Sequence, residues 1–156
     1  VTQTEPHRIH PDDPGEPSTG TRRIGIARAE AGLLAGWADG LRVCEIGTGL
    51  GISTIALYEV AAELTTIDID PWVHKTVWPT LPASITKLRE RPDKTYQLIF
   101  VDGDHRPEAV RADVDWAKDH APIVVCHDWR EVSPYLGDVS NWHTYNTQYG
   151  LGMLIR

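Results

Sequence analysis

From residue 42 onward, apolar residues arrive in short bursts separated by amphipathic stretches. The bursts at 42–47, 64–69, 84–88, 97–102 and 122–127 are rich in Val, Ile and Leu and read as strands buried on both faces. Residues 51–62, 71–78 and 106–118 read as helices, and Pro71 suits a first helical turn. Strand and helix in alternation predict parallel pairing through right-handed crossovers. Upstream, Ile24, Ile26, Ala27, Ala31, Leu33, Leu34 and Trp37 fall mainly on one face of a helix over 21–38, which Gly40 stops. Two last runs, 141–147 and 150–156, meet at Tyr149-Gly150 and predict an antiparallel pair at the end of the sheet. The segment from Leu81 to Thr95 holds one weak strand and one tight connection, so the third crossover is expected to be truncated. The fold class expected is α/β: a doubly wound, mostly parallel sheet with a C-terminal antiparallel hairpin.

The chemistry is concentrated where the first strand meets the next helix. Val43-Cys44-Glu45-Ile46 is followed by Gly47-Thr48-Gly49-Leu50-Gly51 and then by an amphipathic segment. Glycines at 47 and 49 let the backbone adopt conformations closed to other residues and come close to a ligand. About 20 residues on, the next apolar run ends in Asp68, where a carboxylate can hold a ribose diol. Loop and acid together point to an adenosine-containing cofactor. A dinucleotide fingerprint would need glycine at position 52, and this chain has Ile52. The loop instead suits a ligand carboxylate and amine at a helix N-terminus.

The segment Glu45-Ile46-Gly47-Thr48-Gly49-Leu50-Gly51 resembles motif I of the class I S-adenosylmethionine (SAM) methyltransferases, whose fold is Rossmann-like. The resemblance implies SAM as cofactor. It implies a binding set of Glu45, Gly47, Thr48, Gly49, Gly51, Ser53, Asp68, Ile69 and Asp102.

Composition narrows the setting. The chain has 156 residues, enough for one domain with a proper core. Residues 1–20, with Pro6, Pro11, Pro14 and Pro17, read as a loose arm, and residues 21–156 as a single SAM-binding domain. His7 and His10 in that arm read as solvated side chains. A net charge of −7 disfavours nucleic acid and anionic membranes as partners. No apolar run reaches the length of a membrane span. Cys44 and Cys126 lie inside strand-like runs and read as buried thiols in a reducing, cytoplasmic compartment.

In an open α/β sheet, ligands sit outside the carboxyl ends of the strands. Here those ends carry Glu45, Asp68 and Asp70, Asp102-Gly103-Asp104-His105, and His127-Asp128-Trp129. Leu98-Ile99-Phe100-Val101-Asp102-Gly103-Asp104-His105 and Val125-Cys126-His127-Asp128-Trp129 resemble the branch holding macrocin-type sugar O-methyltransferases and the methyltransferase-fold domain of cephalosporin hydroxylase. Glu30-Ala31-Gly32-Leu33-Leu34 and Tyr149-Gly150-Leu151-Gly152-Met153 carry the same resemblance, which covers roughly residues 22–156.

That resemblance implies a divalent metal, Mg or Mn, on Asp102, His127 and Asp128. An imidazole in the set suits manganese, iron or zinc better than magnesium. It also implies Asp104 as general base, with His105 beside it as the second candidate. Trp129, Trp142 and Trp72 read as packing residues before pocket walls. The function expected is methyl transfer from SAM to a hydroxyl of a small molecule or sugar. The chain departs from relatives in having Leu88-Arg89-Glu90-Arg91 where many place an adenine-contacting Gly-Asp-Ser/Ala segment. It also lacks their lid helices, which suggests a bulky acceptor, a homo-oligomer supplying the missing wall, or weak turnover. Two other classes are weighed: a non-catalytic SAM- or nucleotide-binding module, and an NAD-binding oxidoreductase, which Ile52 and the lack of a Tyr-x-x-x-Lys pair disfavour.

Overall fold

The computed structural model describes residues 26–156. The expected arm, with His7 and His10, and the first residues of the helix expected over 21–38 lie outside the described residues. Helix α1 spans Arg28–Ala38 and β1 Arg42–Ile46. Then come α2 (Ile52–Tyr58), β2 (Glu63–Ile67), α3 (Pro71–Thr76), a 3-10 turn at Trp78–Thr80, and β3 (Thr86–Leu88). The chain continues with β4 (Leu98–Val101), α4 (Pro107–His120), β5 (Ile123–Cys126) and α5 (Trp129–Val132). A second 3-10 turn (Ser133–Tyr135) leads to β6 (His143–Tyr145) and β7 (Leu151–Ile155).

The strands form one sheet in the order β3-β2-β1-β4-β5-β7-β6. The pairs among β1 to β5 are parallel, and β7 runs antiparallel to β5 and β6. The order reverses between β1 and β4, which puts a crevice at their carboxyl ends. The expected strands and final hairpin are all present. The connection from Leu88 to Leu98 carries no helix, so the third crossover is truncated.

Strand burial explains the near-continuous apolar runs. Val43, Leu98, Phe100 and Val125 join the core under α1 and α2. Cys44, Ile99, Val101 and Val124 join the core under α4. Successive side chains point to opposite faces, and both faces are covered. Each such side chain contributes about 1.5–3 kcal/mol on burial. Both cysteines are free and buried, and burial pushes both thiols well up, Cys44 to about 12.

Helix α2 is shorter than the expected 51–62. Its chain leaves the helix at Glu59 because the next backbone groups pair elsewhere. Gly40 N donates to Val60 O (2.9 Å), and Ala62 N to Leu41 O (2.9 Å). That exchange ties the end of α2 to the α1–β1 turn. The α5 helix and both 3-10 turns are too short to leave a periodic signal in sequence.

Candidate active site

The glycine loop is held from both sides. Gly47 has φ +96°, and its amide donates to the Ile67 carbonyl (2.8 Å). An added Cβ there would overlap the Asp102 carbonyl oxygen and lie 2.6 Å from its carbonyl carbon. Gly51 turns the chain into α2 at φ +82°, packed against Leu81. Asp68 then latches the loop. Its Oδ2 accepts the amides of Thr48 (3.0 Å) and Gly49 (3.1 Å), and its Oδ1 accepts the Asp70 amide (2.8 Å). A carboxylate has about four lone-pair sites, so acceptor capacity remains for a ligand.

Glu45 requires a correction. It does not face the crevice: its relative exposure is 0%, and its carboxylate is turned under the loop. Oε1 accepts Ser53 Oγ–H (2.6 Å), while Oε2 accepts Thr54 Oγ1–H (2.6 Å) and Thr66 Oγ1–H (2.7 Å). Thr48 Oγ1 joins Thr66 Oγ1 at 2.7 Å, and Trp78 Nε1 donates to Thr48 Oγ1 (3.3 Å). The Ser53 hydroxyl is therefore spent on Glu45, although Ser53 itself borders the cleft, and Glu45 acts on a ligand only by shaping the loop. Burial pushes the Glu45 carboxyl up to about 7, against the three hydroxyl bonds that pull it down. A raised folded-state pKa means that this group's stability contribution is full below its ordinary 4.5 and is lost as pH rises through about 7. Glu45→Gln should remove that slope. Urea melts of wild type and variant should diverge between pH 4.5 and about 7, by on the order of 3 kcal/mol. Parallel stability curves would show that Glu45 stays ionised throughout.

His127 is the second correction. It is buried, and both ring nitrogens face carboxylates. Nε2 meets Glu30 Oε2 at 3.0 Å, and Nδ1 meets Asp102 Oδ1 at 3.1 Å and Asp128 Oδ2 at 3.2 Å. Carboxylates only accept, so both nitrogens donate and neither keeps a lone pair for a metal. Burial would lower its pKa, but Asp102, Asp128 and Glu30 outweigh that and raise it well above the ordinary range. Glu30 is fully buried on α1. Its Oε2 also accepts Ala27 N (3.1 Å), and its Oε1 accepts Thr147 Oγ1 (2.6 Å), Tyr149 N (2.7 Å) and Gly150 N (3.2 Å). Burial would raise its pKa, but these bonds hold it well below the usual carboxylate range.

Around this buried pair the expected rim assembles. Asp102 follows β4; burial raises its carboxyl, with His127 opposing. Asp128 holds φ +49° and starts α5. His105 stands between them and α5, with Nε2 at 3.3 Å from Asp128 Oδ2 and Nδ1 at 3.2 Å from Glu131 Oε1. Asp102, His105 and Asp128 each offer one donor atom, all within 4.8 Å of one another. His105 thus occupies the place in the donor set expected for His127. Asp104 receives the Arg106 amide (3.0 Å) and Nε (2.6 Å), which starts α4.

Loop and rim line one open cleft of about 1170 Å³. Gly47, Thr48, Gly49, Asp68, Ile69, Asp102, Asp104, His105 and Asp128 all border it. Sequence reasoning missed Tyr149, Arg106, Asp113 and the pairing role of Arg91 there. Trp129 and Trp142 do not border it. They are buried and pack ring to ring at 4.8 Å, with Trp129 lying across Gly152. Trp72 does border the cleft and is 39% exposed.

The fold is that of the class I methyltransferases: a seven-stranded, mostly parallel sheet with the antiparallel hairpin at one side. Solved structures with this architecture resemble the chain. A ribosomal protein L11 methylase from Lactobacillus delbrueckii subsp. bulgaricus is similar at TM-score 0.62 and 17% identity, over 81% of this chain and 75% of that one. The N-methyltransferase NodS from Bradyrhizobium japonicum WM9, in complex with S-adenosyl-L-homocysteine (SAH), is similar at TM-score 0.62 and 14% identity, over 82% and 84%. A magnesium protoporphyrin IX methyltransferase from Synechocystis PCC 6803 with bound SAM follows at TM-score 0.58 and 15% identity, over 82% and 76%. No protein-family model matches the chain, and no curated protein matches it by sequence.

Proposed function

We propose that this chain is a SAM-dependent methyltransferase acting on a hydroxyl of a small molecule or sugar. The observation that carries the reading is Asp68. Its carboxylate is built into the glycine loop and borders the cleft at the switch point of the sheet. In this reading the methionyl part of SAM lies along 47–51 and the ribose on Asp68. The neighbours crystallised with SAM or SAH support the cofactor. A cleft lined by Asp68, Asp102, Asp104 and Asp128 favours a cationic sulfonium. The same acidity and the net charge of −7 argue against a nucleic-acid acceptor.

The acceptor hydroxyl lies at the Asp102–His105–Asp128 end. Its oxygen attacks the methyl carbon in line, the S–CH3 bond breaks with its electron pair going to sulfur, and the proton passes to Nε2 of His105, whose Nδ1–H is held by Glu131 and whose Nε2, once protonated, donates to Asp128. Asp128 and Glu131 steady the imidazolium so formed. Positioning does most of the work, because the sulfonium is already a good donor. Asp104, tied to Arg106 at the start of α4, borders the cleft beside His105. The donor set Asp102, His105 and Asp128 also fits a divalent ion, manganese-like rather than magnesium-like because of the imidazole. Such an ion would acidify the acceptor hydroxyl, and the proton would then fall to Asp104. Among the described residues no helix is long and apolar enough to cross a membrane. The open acceptor side suits a bulky substrate or a wall from a second copy of the chain.

Calorimetry tests this directly. Wild type should bind SAH and ignore NADH. Asp68→Ala should weaken SAH roughly 100-fold, since both a charged hydrogen bond and the loop latch are lost. No binding of SAM or SAH would remove the assignment.

A further inference from the structure

Beyond Asp68 the cleft has a second polar feature that the loop and rim do not use. Segment 89–91 follows β3 and borders the cleft opposite α4. From it Arg91 reaches across to Asp113, in the second turn of α4, and pairs with Asp113 Oδ1. Asp113 is 6% exposed and borders the cleft. Its other oxygen, Oδ2, receives no hydrogen bond from the described residues. It lies beside Gly103, where an added Cβ would be 3.0 Å from it. Gly103 therefore leaves this oxygen uncovered. Ile69 lines the same cleft and is 74% exposed, an apolar face open to a ligand.

We infer that Asp113 reads the nucleobase of the cofactor, its Oδ2 accepting the 6-amino group of adenine while the ring lies against Ile69. This rests on the SAM reading above and deepens it. Arg91 holds the carboxylate by its other oxygen, so one acceptor, and no donor from Asp113, faces the base. Burial raises the Asp113 carboxyl, with Arg91 opposing, so measurements belong at pH 8. A 6-oxo purine presents an acceptor to that oxygen, leaving a buried charge facing a carbonyl. The recognition thus comes from a helix and an ion pair instead of the loop after β3.

The test compares SAH with S-inosylhomocysteine, its 6-oxo counterpart, by calorimetry at pH 8. Wild type should bind SAH roughly 10- to 100-fold more tightly. Asp113→Asn, whose amide can offer a donor or an acceptor, should bring the two within about threefold. Gly103→Ala leaves both members of the Arg91 pair in place, crowds Oδ2 with a methyl and should likewise shrink the ratio, which guards against a misfolded first variant. If wild type binds SAH but does not discriminate, or if both folded variants keep its ratio, the nucleobase assignment is wrong and the SAM reading stands. If wild type binds neither nucleoside, both fall.

Discussion

Glu30→Ala is expected to remove about 3–5 kcal/mol of folding stability, although position 30 lies far in sequence from the glycine loop and the rim. The carboxylate it deletes is fully buried and accepts five hydrogen bonds, from Ala27, His127, Thr147, Tyr149 and Gly150. Without it the buried imidazolium of His127 loses its partner on the α1 side. Three donors of the β6–β7 connection lose their acceptor as well. Breaking a buried pair from one side costs more than the pair contributes, because the remaining charge stays desolvated. Glu30→Gln keeps the shape and some of the acceptors and should lose about half as much. The acid limb gives a second readout. Glu30 is held near 2 against an ordinary 4.5, so its contribution is full above 4.5 and is lost as pH falls towards about 2. Urea melts at pH 7 should show the full gap between wild type and Glu30→Ala, and the gap should narrow by pH 3. A loss under 1 kcal/mol at pH 7 would mean that water replaces the carboxylate as acceptor for these five donors.

The Glu30–His127 pair also shows where sequence reading stops. The strands were readable because parallel strands covered on both faces must be apolar throughout, as in Leu98–Val101 and Ile123–Cys126. The glycine loop was readable because its chemistry is contiguous, and Asp68 because the spacing to the next strand end is fixed by one helix. His127 was placed at the right strand end and given the wrong partner. Its position follows from β5, but its contacts come from α1, 97 residues away, and no local pattern encodes them. A hint was present: Glu30 shares a helical stripe with Leu34 and Ala38, both buried, and a charge in an apolar stripe needs a partner. Glu45 was similarly misdirected. It lies at the end of β1, yet the two-residue alternation puts it on the face of Val43, under α2, where Ser53 and Thr54 wait for it. His105 could be named from its neighbours, but its approach to Asp128 depends on how α4 and α5 begin. The Arg91–Asp113 pair spans a connection with no regular structure, so only coordinates bring it together.

Gly47→Ala should be among the most damaging single methyls at the described glycines. Two costs add. At φ +96° alanine is strained by about 1–3 kcal/mol. The new Cβ also overlaps the Asp102 carbonyl, and that carbonyl cannot easily retreat. The Asp102 amide is bonded to Ile46 O (2.9 Å), and β4 is pinned between β1 and β5. Relief would have to push the end of β4 outward, moving Asp102 away from His127, or lift the loop off Asp68. Either motion spoils the cleft. The expected loss is about 3 kcal/mol or more of stability, with SAH binding weakened beyond about 100-fold. Gly40→Ala separates the two costs. It also has positive φ, +68°, but an added Cβ there meets nothing within 4 Å. It should lose only about 1 kcal/mol and leave SAH affinity unchanged. Paired urea melts and titrations of the two variants decide the matter. Equal losses would show that backbone strain alone acts at position 47, and that the close approach of the loop to Asp102 plays no part in forming the site.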